Sequence, residues 1–470
     1  MSFVSPEFAL LCLVFLPIYW SLAEHPRAQR SLLIVSAYGL YATWVPVFAW
    51  VLLAYSTVIW ALGRWMQRAG TGRLPWVLGL WLAGSFLVFL KYYEFARETF
   101  QALLQLTGFV SLLPVADWVA PVGVSFFTFQ AVSYLVMVGR APALARSWPD
   151  VLLFLSFWPT LFAGPIWRAE HFFAQTDETD PARRVGRPRR AWLALYLITL
   201  GLLQKVVLAS WLSAQVVDPV YKYPDQYASV SLAAAMLGYS LQIFLDFAGY
   251  TLVVTGLALL LGYRLPVNFR QPYLARNLSD FWTRWHVSLS SFIRDYIYIP
   301  LGGNRLGWGR TQMNVLSGML ISGLWHGANW TFVVWGLLHG LGVVVQNTAK
   351  RWGMPAWPRW AAQTLTFVFV TVTWVFFRAD SVPQALIMLQ GLWHSPAGFW
   401  QSEQLPWWGL LGIAALVWGL SPRALRWQRL SVAWLARLGP GLGAALLALL
   451  WCVWLYGAPE GVPSFIYYRF

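Results

Sequence analysis

Long apolar runs broken by short polar turns recur from one end of the chain to the other. Examples are "FALLCLVFLPIYW" from Phe8, "VPVFAWVLLAYSTVIWALG" from Val45 and "GLGAALLALLWCVWLYG" from Gly441. A helix that crosses a bilayer needs about 20 apolar residues, and counting runs on that criterion gives roughly 11 to 13 membrane segments. Several runs are short or interrupted by Gly and Pro. The pattern predicts an all-α polytopic membrane protein in which interfacial or re-entrant helices accompany the spanning ones. A single membrane domain over 1–470 is expected, with N-terminal helices in 1–115, a core in 116–350 and C-terminal helices in 351–470.

Some stretches break this rhythm. "PVGVSFFTFQAVSYLVMVGR" (121–140) opens with Pro121, a residue suited to a helix start. "FWPTLFAGPIWR" (157–168) cannot form one straight helix, because Pro159, Gly164 and Pro165 interrupt it. It is either irregular backbone buried in protein or a loop at the membrane surface. Residues 169–190 read as a polar loop, followed by apolar runs at 191–214 and 229–262. The second run holds Asp246, a carboxylate costly in such a setting, which suits a cavity or a hydrogen bond to a neighbouring helix.

Residues 264–310 combine charge with aromatic rings, and no run there is long enough to span. In "SDFWTRWHVSLSSFIRDYIYIP" (279–300), Trp282, Trp285, Leu289, Phe292 and Tyr296 recur at helical spacing. Arg284, Ser288, Ser291 and Asp295 form another face. This predicts one amphipathic helix, capped by Ser279 and ended by Pro300, at an interface or partly inserted. His286 falls at the border of its apolar face. Membrane helices then resume, and Gly323 and Gly327 make a GxxxG pair beside His326.

Composition agrees with the pattern: 59% of residues are hydrophobic and 11% charged, against about 25% charged in a soluble domain. The start of the chain lacks the cationic region of a cleavable signal, so the first run reads as a retained helix. The aromatic content, with 32 Trp, suits interfacial belts. Cys12 and Cys452, both inside apolar runs, offer neither a structural disulfide nor a metal set, and no metal is expected. The net charge of +15 gathers in loops, including 183–190, Arg423, Arg426, Arg429 and Arg437. It marks cytoplasmic loops and contact with membrane lipids rather than nucleic acid. It could also attract an anionic, phosphorylated substrate.

Six histidines remain to be weighed. His25, His171 and His394 lie in or near polar segments and are expected to be solvated. His339 follows His326 by thirteen residues, about 220° round a helix, so the two do not share a face. His339 reads as a packed, hydrogen-bonded residue. His326 is the candidate for chemistry: a neutral imidazole can act as general base near neutral pH. Neither a nucleophile elbow nor a phosphate-binding loop accompanies it. From the residues alone, acyl transfer is only slightly favoured over proton-coupled transport. A transporter or flippase would show paired repeats across its halves, and no fixed-period repeat is visible.

Nearly the whole chain resembles the membrane-bound O-acyltransferase superfamily, within it the membrane components of bacterial alginate O-acetylation and their relatives acting on peptidoglycan, cellulose and teichoic acid. The resemblance is carried by "PVGVSFFTFQAVSYL", "FAGPIWR", "QIFLDFAGY", the block from Gly262 to Arg305, "LWHGANWTFVVWGLLHG", "WVFFRAD" and the terminal "FIYYRF". It implies a ring of helices around a funnel, in the bacterial inner membrane. The catalytic histidine of the W-H-G motif would be His326, and a second functional histidine, in R-W-H, would be His286. Asp246, Trp285, Trp325, Asn329, Arg284, Arg294 and Asp295 become candidates for lining the substrate cavity. Arg276 and Arg305 join Arg284 and Arg294 as possible contacts for donor phosphates. The implied donor is a cytoplasmic thioester, acetyl-CoA or an acyl carrier protein. The implied product is an O-acetylated periplasmic or secreted polysaccharide, completed by a periplasmic serine-hydrolase-like partner. Two departures stand out. Relatives usually carry Ser-Asp where this chain has Thr251-Leu252, and an aspartate within the stretch Val136–Arg140. The terminal aromatic tail suits either an interfacial anchor or contact with the funnel or partner.

Overall fold

The computed structural model describes residues 3, 5–70, 72–109, 113–116, 118–176, 188–394 and 406–457. The tail at 465–470 and most of the basic run at 183–190 lie outside them. Among the described residues the secondary structure is helical, and seven helices are long and apolar enough to cross a membrane. Three further apolar helices, Pro6–Ser21, Val124–Arg140 and Trp407–Gly419, are shorter.

The chain divides into two compact units, Met1–Val185 with Leu257–Leu265, and Gly186–Gly256 with Pro266–Phe470. In the first, helices Pro6–Ser21, Pro26–Ala42 and Pro46–Ala69 each begin with proline. There the missing N–H costs nothing and the fixed φ suits the first turn. Val124–Arg140 is apolar on every side, and 14 of its 17 residues are buried, as a helix hydrophobic all round must be. The 157–168 segment is not a surface loop. It forms one turn, Trp158–Leu161, then bends at Gly164, and its residues up to Trp167 are buried. The chain passes so close that a Cβ on Gly123 would lie 2.1 Å from the Leu161 carbonyl oxygen. The expected polar loop from 169 instead starts as a helix, Ala169–Thr176. Its Phe172 and Phe173 bury against Phe154, a contact that polar composition alone hides.

The second unit carries the spans Arg190–Lys222, Trp330–Arg351, Arg359–Arg378 and Ala424–Trp454, and Ser229–Leu260 as far as Gly256. Within the first of these the backbone opens into π-helix at Leu203–Ala209 and Ser213–Val217. The stretch expected as one amphipathic helix is broken instead. Leu278–Trp282 ends in a turn, Val287–Ile293 starts afresh after His286, and Arg294–Tyr298 is π-helical. The cap is Asn277 rather than Ser279: its side chain accepts from the Asp280 N–H at 2.8 Å. Ser279 accepts from Gln346 at 2.9 Å. Ser288, placed by periodicity on a polar face, is buried. Tertiary hydrogen bonds have overridden helical periodicity here.

Candidate active site

Helices Trp308–His326 and Trp330–Arg351 form a hairpin, and its seam explains the small residues. A Cβ on Gly323 would stand 2.3 Å from the Phe332 carbonyl oxygen and 3.2 Å from the Cα of Gly336. Only glycine allows that approach. Asn329 caps the second helix, accepting from Thr331 N–H at 2.9 Å, and donates to the Asp380 carbonyl at 3.1 Å. His326 is thereby held at the end of the first helix, 2% exposed. Trp325, Trp335 and Phe377 surround its ring edge-on, with centroids at 5.0, 5.2 and 5.0 Å.

His286 reaches the same place from the broken segment. Its backbone is left-handed, φ 43° and ψ 54°, an uncommon conformation for a residue with a side chain. Turning the chain there lodges the imidazole in the interior at 0% exposure. Phe247 meets the ring at 4.7 Å, Trp325 at 5.6 Å and His326 at 6.4 Å, centroid to centroid. Nδ1 of His286 lies 3.0 Å from Oδ1 of Asn268. The same oxygen accepts from the Ser288 hydroxyl at 2.8 Å and the Ser288 N–H at 3.4 Å. The Asn268 amide nitrogen donates to Thr251 Oγ1 at 3.4 Å, and its carbonyl accepts from Val287 N–H at 2.9 Å. Burial pushes the His286 imidazole down to about 3, well below its ordinary value, so the ring is neutral near pH 7.

The other sequence-derived candidates divide. Trp325 lies between the two histidines, and Trp285 packs one layer out, on Phe281 and Trp374. Asp246 makes a buried ion pair with Lys205, which sits on the first π-helical stretch. Its chain neighbour Phe247 carries the contact to His286. Arg284 pairs with Asp280 at 2.6 Å, and Arg294 grips its own neighbour Asp295 at 2.6 and 3.1 Å. His339 is packed apart from the pair, its Nε2 2.9 Å from Thr373 Oγ1. His25, His171 and His394 are exposed.

Sequence reasoning missed Lys205, Asn268 and Ser288. The available signal was a polar side chain in an otherwise apolar or aromatic setting. Thr251 did stand out, as a departure from the family pattern, and it proves to touch Asn268.

A buried, aromatic-lined pair of imidazoles in a multi-pass helical protein defines a class: a membrane protein with two histidines held out of contact with bulk water. The comparisons with known proteins narrow it. The model of the membrane-bound O-acyltransferase family matches residues 76–382. The chain belongs to that family and is an acyltransferase. It is 32% identical over 421 residues to the peptidoglycan O-acetyltransferase of Helicobacter pylori, covering 82% of this chain and 78% of that protein. It is 32% identical over 418 residues to a probable alginate O-acetylase, AlgI, of Pseudomonas putida, covering 86% and 82%. A teichoic acid D-alanyltransferase of Streptococcus thermophilus is 30% identical over 239 residues, 49% of this chain and 57% of that protein.

Proposed function

We propose that this protein is an inner-membrane O-acetyltransferase that draws acetyl groups from a cytoplasmic thioester for O-acetylation of a periplasmic or secreted, alginate-like polysaccharide. The observation that carries the reading is the meeting of His326 and His286 within one buried aromatic enclosure, in a chain of this family. His326 is the general base. It takes the proton of an acceptor hydroxyl as that oxygen attacks the thioester carbonyl carbon. The tetrahedral intermediate collapses, the C–S bond breaks and the departing thiolate recovers the proton. The products are an ester and a free thiol, CoA or the carrier protein's thiol. His286 orients the donor or the acceptor, or stabilises the developing charge. Trp325 and the rings around it exclude water that would hydrolyse the thioester. Arg276, Arg294 and Arg305 are exposed and Arg284 half-buried; their forked groups suit donor phosphates. A serine-hydrolase-like periplasmic partner completes the transfer to the polymer.

Peptidoglycan is the second reading for the acceptor, because the peptidoglycan and alginate relatives match equally well, at 32% identity each. Comparing acetyl content of both polymers in cells with and without the gene separates the two.

The direct test is release of free CoA from acetyl-CoA by wild-type and His326→Ala protein in nanodiscs, with the periplasmic partner supplied. The wild type turns over, and the variant, folded, loses at least about 10²–10⁴-fold, the contribution of general base catalysis. A folded His326→Ala protein with wild-type turnover would overturn the assignment.

A further inference from the structure

Asn268 decides where the His286 proton sits. Its side chain is 1% exposed and its amide orientation is fixed from three sides. The Ser288 N–H can only donate, so the atom facing it must be Oδ1, and a flipped amide would set donor against donor. The Ser288 hydroxyl bonds the same oxygen, and the amide nitrogen is left for Thr251 Oγ1. That oxygen, an acceptor without a proton, lies 3.0 Å from Nδ1 of His286. A bare Nδ1 there would put two lone pairs together, so Nδ1 carries the hydrogen. A neutral imidazole has one N–H, and Nε2 therefore presents a lone pair. The backbone agrees: the Asn268 carbonyl accepts from Val287 N–H at 2.9 Å, holding the chain in its left-handed turn at His286. Strained backbone persists where its surroundings over-determine it, and here one asparagine supplies both anchors.

We infer that Asn268 is a positioning residue that holds His286 as the Nδ1–H tautomer, so that Nε2 accepts a hydrogen bond from the hydroxyl of the acyl acceptor. The inference rests on the acyl-transfer reading for the identity of that hydroxyl, and on geometry alone for the tautomer. It selects among the roles open to His286. A ring whose single N–H is committed to Asn268 does not donate to an oxyanion. It accepts the hydrogen bond of the incoming O–H as that group binds, and the hydroxyl's single hydrogen turns from Nε2 to His326, 6.4 Å away between centroids, as the oxygen attacks. The rings packed on His286 include Phe247, Trp325 and His326, and His326 is a titratable neighbour. Asp246, next to Phe247 in the chain, is paired with Lys205.

Two measurements test it. In nanodisc-embedded protein labelled with ¹⁵N-histidine, the His286 signals are assigned by difference from His286→Gln. A protonated Nδ1 and a pyridine-like Nε2 are expected in the wild type; a protonated Nε2 with a bare Nδ1 overturns the inference. The second is the pH profile of thioester turnover in Asn268→Asp and Asn268→Leu. The aspartate variant keeps the acceptor and adds a negative charge that favours imidazolium. Its turnover persists with the acid limb moved to higher pH. The leucine variant lowers kcat by about 10²-fold, the lower end of acid–base contributions, with KM little changed. An unmoved acid limb in Asn268→Asp, or wild-type kcat in Asn268→Leu, overturns the positioning role. Should Asn268→Leu fail to fold, the nearly isosteric aspartate variant still decides. Absence of turnover in the wild type would defeat the acyl-transfer reading, whereas the ¹⁵N spectrum reports the tautomer regardless.

Discussion

His286 and His339 are both wholly buried imidazoles in the same unit, each hydrogen-bonded through one ring nitrogen, and they are held in different ways. His339 lies mid-helix in ordinary backbone. Its Nε2 donates to Thr373 Oγ1, whose own hydrogen goes to the Val370 carbonyl at 2.9 Å. Its ring is wedged among Trp282, Trp335 and Phe369. His286 stands at a helix break in left-handed backbone, and its partner Asn268 is fixed by further bonds. Burial and a hydrogen bond are thus common to both. What marks His286 out is a left-handed backbone position, a partner that is itself held in place and a second imidazole 6.4 Å away between centroids.

The largest test of this contrast is paired substitution. His286→Ala is expected to lower thioester turnover by about 10²–10⁴-fold, while His339→Phe, close in shape, leaves kcat within a few fold. Comparable losses in both would erase the distinction. Next comes the ion pair one residue from the Phe247 contact. Lys205→Met leaves the Asp246 carboxylate buried without its partner, at an expected cost of about 3–5 kcal/mol in stability, read as a fall in Tm. His339→Phe removes the donor to Thr373 Oγ1 while that hydroxyl keeps its bond to the Val370 carbonyl, and should cost about 0.5–1.5 kcal/mol.

Acidity sharpens the comparison further. The His286 imidazole is pushed by burial from 6.5 down to about 3, and it lies outside the seven spanning helices. Below pH 6.5 the unfolded chain binds a proton there that the folded chain refuses. Folded stability should therefore fall as pH drops from 6.5 towards about 3, by up to about 1.4 kcal/mol per pH unit from this group. His286→Gln should flatten the Tm profile over that window, and an unaltered slope would contradict a neutral buried ring. The smallest effect is Thr251→Val, which removes the 3.4 Å contact that steadies the Asn268 amide. A stability loss of about 0.5–1.5 kcal/mol and a few-fold drop in kcat are expected.

Much of the architecture was legible in the chain itself. Apolar runs of spanning length survive as helices because a bilayer leaves backbone polar groups no partner outside the helix. Proline at helix starts, the Gly323 seam and His326 beside it could all be read locally, since each depends on neighbours within a few residues or on the absence of a Cβ. The segments at 157–168 and 279–300 were less legible. Whether a Pro-Gly stretch is buried or exposed depends on what packs over it. Whether an amphipathic run stays one helix depends on competing tertiary bonds, here those of Asn268 to Val287 and Ser288.

The sequence by itself determined a helical membrane protein of acyltransferase type, with two histidine motifs forty residues apart. The helical membrane class follows from composition and periodicity, and the acyltransferase type from the family resemblance that the motifs carry, all one-dimensional properties. Only the tertiary structure decided that His286 and His326 share an enclosure, that Asp246 is committed to Lys205, and that Asn268 governs the His286 ring. Those are meetings of residues 18 to 41 positions apart in the chain. Hydrogen-bond direction and ring contact exist only once the helices have packed, so no local pattern encodes them.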